Sequence, residues 1–125
     1  MDIDLIHNYL SLKSYWAKGR SKDLVKKSME NSICFGAFTQ SGEQVGFARV
    51  ATDYVVFVWL MDVFVVDGFQ GQRVGQQLLQ AILDYSGLEQ VNGIGLRTND
   101  AQSFYSKFGF NTISEPETWM FKKNT

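Results

Sequence analysis

The chain has 125 residues, with twelve Lys plus Arg against thirteen Asp plus Glu and a formal net charge of −1. This length fits one domain spanning residues 1–125, and the nearly balanced charge argues against a nucleic-acid partner, which would require a clear basic excess. A single cysteine, Cys34, allows no internal disulfide, and one histidine, His7, leaves too few soft ligands for a zinc site, so we expect no metal.

The first thirty residues predict two helices and no leader. Residues 1–4 open with acids and lack the basic and apolar regions of a signal peptide, so we expect a cytoplasmic protein. Apolar residues recur at helical spacing from Asp4 to Leu10, and Ser21 is typical of the cap before a second helix. A basic cluster near that helix is typical of a solvated face: Lys18, Arg20, Lys22, Lys26 and Lys27.

The middle of the chain predicts a three-stranded meander. Residues 32–39 and 44–51 form two strands joined by a tight turn, and Thr52-Asp53 separates them from a third strand that begins at Tyr54. Residues 55–66 are β-branched, aromatic and nearly continuous, which is typical of a central strand covered on both faces. This stretch is far shorter than the roughly 20 residues of a membrane helix, so we expect no membrane partner.

The next predicted elements are a helix and a strand. Apolar residues between Val74 and Tyr85 recur at helical spacing, and Gly87 is the expected stop. Residues 93–98 then predict a short apolar strand.

The last predicted elements are one helix and two strands. Asn99 is the expected cap of the helix, and Gly109 is its expected end. Phe110 and residues 118–122 can supply the final strands. The order α-α-β-β-β-loop-α-β-α-β-β predicts an α/β (α+β) fold with a mixed, mostly antiparallel sheet and about four flanking helices.

The segment from Val63 to Leu79 carries the strongest functional signal. A buried strand runs into a Gly-rich loop that opens an amphipathic helix, so free backbone N–H groups and the positive end of the helix dipole form a ready phosphate site. Gly71 and Gly75 would let a ligand approach the main chain, although a plain strand-to-helix turn also explains them. The Gly-Lys-Ser/Thr of a mononucleotide loop is absent, and Gly93-Ile94-Gly95 lacks the third glycine of the dinucleotide fingerprint.

Residues 70–75, Gln-Gly-Gln-Arg-Val-Gly, resemble the Gln/Arg-x-x-Gly-x-Gly/Ala motif of the GNAT acetyltransferase superfamily. Further matches are the Val-x-Val before the loop, the Leu-Leu on the following helix, Asn99, and the run Phe-Tyr-Ser-Lys-Phe-Gly-Phe at 104–110. Arg73 departs from the motif, because it stands where the first glycine is usual. The resemblance covers about residues 43–110 and implies a GNAT-like sheet with a central splay.

The resemblance implies that acetyl-coenzyme A is the acyl-donor co-substrate. In that family the loop amides hold the pyrophosphate, and the splayed strand before the loop pairs its main chain with the pantetheine arm. These cofactor-binding roles would fall to Val63, Phe64, Val65, Gln70, Gly71, Gln72, Arg73, Val74, Gly75, Asn99 and Tyr105. Arg73 still offers its N–H, and a guanidinium suits a phosphate oxygen.

Two residues are candidates for the chemistry. The resemblance makes Tyr105 the general acid that protonates the leaving thiolate, and a half-buried helix tyrosine is the alternative. Asp62 is the sole polar residue of 55–66, where a carboxylate is costly to bury without partners. Desolvation would make it a better base; a structural bond is the alternative, and ordered water could also take the proton. Alternation predicts that Asp62 shares a face with Leu60, Phe64 and Val66.

Three further residues are candidate substrate contacts: Asp53, Tyr54 and Trp16. An exposed turn is the alternative for Asp53 and Tyr54. We expect an N-acetyltransferase that acts on a small-molecule or peptidyl primary amine by direct attack in a ternary complex. The alternative, favoured by Arg73, is a catalytically silent coenzyme A-binding sensor or interaction domain. A homodimer stays open.

Overall fold

The computed structural model describes residues 1–124, in which four α-helices flank a three-stranded antiparallel sheet. The helices are α1 (Ile3–Asn8), α2 (Lys22–Glu30), α3 (Val74–Leu83) and α4 (Gln102–Ser106). The strands are β1 (Ile33–Phe38), β2 (Gln44–Thr52) and β3 (Val58–Val65), in the spatial order β1-β2-β3. The predicted class, with its mostly antiparallel sheet, is confirmed. No helix of this part of the chain is long and apolar enough to cross a membrane.

Local side-chain caps set where the first two helices begin. Asp2 and Ser21 each accept a hydrogen bond from the backbone N–H three residues further on, and the predicted cap at Ser21 is therefore confirmed. The predicted stop of α3 at Gly87 is wrong. The helix ends at Leu83, because a separate 3₁₀ turn forms over Ser86–Leu88.

β2 is the strand that is covered on both faces. Residues 44–50 are all buried, because α3 packs on one side of the sheet and α1 and α2 pack on the other. In β3, buried and half-buried residues alternate. The prediction that residues 55–66 form the strand covered on both faces is therefore wrong. The predicted start of the strand is wrong as well, since Val55 and Val56 are 60% and 65% exposed in a loop before Val58. Consecutive β-branched residues indicate strand propensity but do not show which strand is central.

An extra residue in β3 interrupts its ladder with β2. Phe47 pairs with Phe64 and Arg49 pairs with Met61, so three steps along β3 match two along β2. Within this interval Asp62 has φ +56°, the left-handed conformation that non-glycine residues rarely adopt. These features define a β-bulge, which bends the strand and reorients its side chains.

The bulge reverses the alternation along β3. Leu60 precedes the bulge and packs in the cluster against α3. Phe64 follows it and packs, beside Val66, in the cluster formed with α1 and α2. The predicted common face for Leu60 and Phe64 is therefore wrong, because one inserted residue moves the side chains before it to the opposite face.

The predicted strand over residues 93–98 is reduced to one bridge. Gly95 pairs in parallel with Trp59: the Leu60 N–H donates to the Gly95 carbonyl at 2.9 Å, and the Gly95 N–H donates to the Val58 carbonyl at 2.9 Å. Beyond Leu60 the two segments are no longer hydrogen-bonded to each other in the described chain. This divergence is the central splay of the sheet.

The predicted final strands, at Phe110 and residues 118–122, do not form within residues 1–124. Ring stacking holds this part of the chain instead. The Trp119 ring is nearly parallel to the Trp59 ring, with centroids 5.3 Å apart. Side-chain packing without a backbone ladder therefore anchors the carboxyl-terminal segment beside the splay.

Candidate active site

A cavity of about 410 Å³ opens where β3 and the segment 96–101 diverge. Residues 59–63 line one side, residues 96–101 line the other, and Tyr15 and Trp16 contribute from the link between α1 and α2. Tyr105 of α4 completes the lining. The structure thus brings together five residues that the sequence singled out: Trp16, Asp62, Val63, Asn99 and Tyr105.

A second cavity, of about 800 Å³, lies along residues 94–99 and is also lined by residues 110–113. Tyr105 and Trp59 line both cavities. Tyr105 therefore stands between two spaces that are each large enough for part of a small molecule.

The Tyr105 side chain is 9% exposed. Burial, and then coulombic interactions with Tyr15 and Asp100, raise the pKa of Tyr105 to about 12, because they all disfavour the phenolate. Its hydroxyl makes no hydrogen bond to any described residue, whereas every fully buried polar side-chain atom there has a partner. The hydroxyl must therefore be accessible from the cavities, and it stays protonated near neutral pH.

The Asp62 carboxylate accepts three hydrogen bonds and is 2% exposed. Trp16 Nε1 donates to Oδ1 at 2.9 Å, and Arg20 Nη1 and Arg49 Nε each donate to Oδ2 at 2.9 Å. Two guanidinium groups thus compensate the buried charge. The predicted solvated face is wrong for Arg20, which points to Asp62.

The reasoning from sequence missed Arg49 as the partner of Asp62. A signal for it was present, because Arg49 is the only charged residue of β2 and Asp62 is the only charged residue of β3. Two opposite charges in adjacent apolar strands indicate a buried pair. The sequence contains no comparable signal for the bulge in β3 or for the contacts of Trp16 and Arg20 with Asp62.

Asp53 and Tyr54 line neither cavity. The Asp53 carboxylate accepts hydrogen bonds from the N–H groups of Val55, Val56 and Phe57, at 3.0, 2.9 and 2.9 Å. These donors, led by Phe57, hold the pKa of Asp53 below its usual value. The structure therefore gives Asp53 the exposed-turn role and does not bring it to the other candidate residues.

Asn99 lines both cavities, but it is not the predicted helix cap. Ala101 is the N-cap residue of α4, and its N–H donates to the Thr98 hydroxyl at 3.1 Å. The Asn99 N–H donates instead to the Tyr15 hydroxyl at 2.9 Å. This bond ties the link between α1 and α2 to the segment 96–101. The predicted helix end at Gly109 lies three residues beyond Ser106, the last residue of α4, and Gly109 closes the turn that follows with φ +91°.

The loop before α3 presents unpaired backbone donors. Within residues 1–124, the N–H groups of Val74, Gly75 and Gln76 have no acceptor, and no side chain caps the helix. Gly71 has φ +83°, and Arg73, at the position of the expected glycine, has φ +65°. The arginine therefore keeps the left-handed backbone that glycine adopts freely.

Gly75 of α3 packs closely against α4 and β3. A Cβ atom on it would lie 3.3 Å from Phe104 Cζ and 3.8 Å from Val65 Cγ2. Since Phe104 precedes Tyr105 on α4, this contact helps to place the tyrosine. The predicted close approach of a ligand to Gly75 stays a prediction.

The three predicted cofactor contacts on β3 differ in environment. Val63 lines the first cavity, whereas the Phe64 side chain is buried in the core. The Val66 N–H donates to the Val45 carbonyl at 2.8 Å. Because successive N–H groups alternate along an antiparallel ladder, the Val65 N–H points away from β2, toward the splay.

Comparison with known proteins gives four consistent matches. The family model described as acetyltransferase (GNAT) domain matches residues 30–112. The chain is similar to the crystal structure of a candidate GNAT-family acetyltransferase from Xanthomonas campestris pv. campestris, with 36% identity, a TM-score of 0.94, and coverage of 99% of this chain and 87% of that chain. It is 27% identical over 126 residues to a candidate acetyltransferase of Gibberella zeae, covering 86% of this chain and 71% of that protein. An uncharacterized N-acetyltransferase of Gracilaria tenuistipitata var. liui is 27% identical over 132 residues, covering 90% of this chain and 71% of that protein.

Proposed function

The chain belongs to the GNAT family of acetyltransferases, and on that premise we propose that it transfers the acetyl group of acetyl-coenzyme A to a primary amine by direct attack in a ternary complex. One observation carries the proposal. The Tyr105 hydroxyl has no hydrogen-bond partner among the described residues, and the residue lines both cavities at the splay. A proton donor between the two cavities fits a reaction in which an acyl donor and an amine meet at the splay.

The loop before α3 fits the phosphates of the donor. Unpaired N–H groups at the start of a helix, with the dipole behind them, bind anionic oxygen well. Val74, Gly75 and Gln76 offer such groups, and the Arg73 guanidinium offers further donors for phosphate. We propose that these residues hold the pyrophosphate, and that the edge of β3 at Val63 and Val65 holds the pantetheine arm.

Acetyl-coenzyme A supplies the acetyl group as a thioester: the amine nitrogen forms the new C–N bond, the C–S bond breaks, and the released thiolate takes up a proton. Tyr105 is the proposed source of that proton, since its phenol stays protonated with a pKa of about 12. Backbone N–H groups at the splayed edge of β3 would polarise the carbonyl.

The amine must also lose a proton. The sequence-based assignment of this step to Asp62 stays a prediction. Its carboxylate already accepts bonds from Trp16, Arg20 and Arg49, which supports a structural part. Solvent in the open cavity can accept the proton without a protein base.

The alternative, a silent coenzyme A-binding domain, depended on Arg73 at a glycine position. Because Arg73 adopts φ +65°, the loop keeps the backbone shape that a glycine would give it. No other observation on the described residues favours the alternative.

The proposed function is tested with two measurements on the purified protein. Coenzyme A should raise the melting temperature through mass action. A panel of primary amines, incubated with acetyl-coenzyme A, should include at least one that releases free thiol above the rate without amine. Stabilisation by coenzyme A without thiol release from any amine would support the silent binding domain, and no stabilisation at millimolar coenzyme A would refute donor binding.

A further inference from the structure

We propose that the first cavity selects an amine with a flat, apolar body and no second positive charge, and that Asp62 is the positioning residue that holds the selecting wall. The proposal rests on the proposed function, because it assigns the acceptor to this cavity. It depends on three features: free aromatic surface, local charge, and the anchoring of residues 15–16.

The free aromatic surface of the cavity belongs to Tyr15 and Trp16. Both side chains are 46% exposed, and their rings meet edge-on with centroids 5.0 Å apart. The third aromatic wall, Trp59, is already stacked on Phe57 at 6.3 Å and on Trp119 at 5.3 Å. Tyr15 and Trp16 therefore offer the ring surface that remains, which suits a flat apolar group.

The charges around the cavity disfavour a second cation. Asp62 and Asp100 line it, and so does Arg97. Arg20 and Arg49 bind Asp62 directly. Arg20 and Arg49 do not line the cavity but lie directly behind Asp62. Counted together with Arg97, they exceed the two carboxylates by one, a net formal charge of +1. A diamine or polyamine would bring an additional positive charge into this field, whereas a monoamine gives up its only charge when it is deprotonated for attack.

Residues 15 and 16 connect the two sides of the splay. The Trp16 indole N–H donates to Asp62 on β3 at 2.9 Å, and the Tyr15 hydroxyl accepts from the Asn99 N–H on the opposite segment at 2.9 Å. The bulge places the Asp62 carboxylate for this contact, with φ +56°. Arg20, which follows in the same link, makes the second bond to Asp62.

This arrangement assigns Asp62 an indirect part in the reaction. Its carboxylate fixes the indole ring and neutralises two arginines, and the ring contacts the acceptor. Loss of the Trp16 bond should therefore weaken acceptor binding more than it slows the chemical step. Loss of a catalytic base would instead slow the chemical step more than it weakens acceptor binding, and it would also change the pH dependence of turnover.

Selection is tested with thiol release from acetyl-coenzyme A, comparing 2-phenylethylamine with cadaverine and spermidine. We expect kcat/KM for 2-phenylethylamine to be at least tenfold higher. Turnover of either polycation at an equal or higher kcat/KM would overturn the selection while leaving the proposed function intact. Quenching of Trp fluorescence by each amine, with coenzyme A present, is measured in parallel. If no amine of the wider panel is acetylated either, the proposed function fails. Weaker quenching by 2-phenylethylamine than by cadaverine would overturn the selection by itself.

Positioning is tested with Trp16→Phe, which keeps an aromatic ring, smaller than the indole, and the charged groups but removes the indole donor. We expect KM for 2-phenylethylamine to rise three- to tenfold with kcat within twofold of wild type. Trp119→Phe is the matched control, since Trp119 has the same exposure and does not line the first cavity; its KM should not change. An unchanged KM for Trp16→Phe would overturn the positioning role.

Asp62→Asn distinguishes positioning from base catalysis. The amide carbonyl that this substitution introduces can still accept the indole N–H, so we expect a smaller rise in KM than in Trp16→Phe and an unchanged pH profile of kcat. The control is Asp4→Asn, which removes an exposed pairing with Lys22. A loss of about two orders of magnitude in kcat, together with loss of the ascending limb of its pH profile, would identify Asp62 as the base and overturn the proposal.

Discussion

Arg49 Nε donates to Asp62 Oδ2 at 2.9 Å across β2 and β3, at the point where β3 carries its extra residue. Both side chains are largely buried, with exposed fractions of 10% and 2%. Arg49 also donates to the Ser32 hydroxyl at 2.8 Å. The pair therefore ties β2 and β3 to the start of β1 beside the cavity.

Removal of Arg49 should destabilise the protein strongly. Arg49→Leu leaves the Asp62 charge buried with one cation fewer, and such losses cost about 3–5 kcal/mol of unfolding free energy. Urea denaturation measures the change. The control, Lys22→Leu, removes an exposed partner of Asp4 and should have no measurable effect. Equal stability of Arg49→Leu and wild type would contradict a compensating role for Arg49.

Replacement of Tyr105 by Phe should impair chemistry and spare binding. The hydroxyl has no protein partner in the described chain, so the unfolding free energy should change by about 1 kcal/mol or less. The loss of the proton donor should lower turnover about ten- to a thousandfold. Coenzyme A should still raise the melting temperature as in wild type. Full turnover by a folded variant that binds coenzyme A would remove Tyr105 from the mechanism.

The raised pKa of Tyr105, about 12, predicts a pH dependence of stability. Its ordinary value is 10, so between pH 10 and 12 the unfolded chain ionises this group while the native protein keeps the proton. The contribution of the protonated Tyr105 phenol to the unfolding free energy is complete below pH 10 and is lost as pH rises through 12. Between about pH 9 and pH 11, the unfolding free energy of wild type should fall by about 1 kcal/mol more than that of Tyr105→Phe. Parallel stability curves for the two proteins would contradict the raised pKa.

Arg73 should affect both stability and donor affinity. Arg73→Gly should be about 1 kcal/mol more stable than Arg73→Ala in urea denaturation, because φ +65° strains alanine and not glycine. If the guanidinium contacts the 3′-phosphate, both variants lose affinity for coenzyme A and keep the wild-type affinity for dephospho-coenzyme A. Isothermal titration measures both. Unchanged coenzyme A affinity in both variants would exclude a phosphate contact by this side chain.

Gly95 should tolerate no side chain. Its Cβ atom would lie 2.5 Å from Trp59 Cζ3, so the ring would have to leave its place between Phe57 and Trp119. Gly95→Ala should lower the unfolding free energy by about 1–3 kcal/mol and weaken the bridge at which the splay begins. Gly93→Ala is the matched control, because nothing lies within 4 Å of its Cβ position. Equal melting temperatures of the two variants would contradict this packing.

Several features of the fold and the site could be predicted because they depend on residues close together in the chain. Ser21 caps α2 through a donor three residues away, and Gly109 closes the turn after α4 by its own positive φ. The loop at residues 70–75 is encoded by a strand, two glycines and an amphipathic helix in succession. Asp62 was identifiable as a buried carboxylate, since it is the only charged residue in its apolar strand.

The tertiary structure alone decided what those residues contact. The partners of Asp62 lie 13, 42 and 46 residues away, and Asn99 and Tyr15 are 84 residues apart. The bulge depends on the register between β2 and β3, and a single inserted residue reverses every face prediction across it. Periodicity reports which residues are apolar, whereas the choice of central strand depends on which helices cover the sheet. The cavity follows from the same cause, because it exists only where two segments distant in sequence pair at Gly95 and then separate.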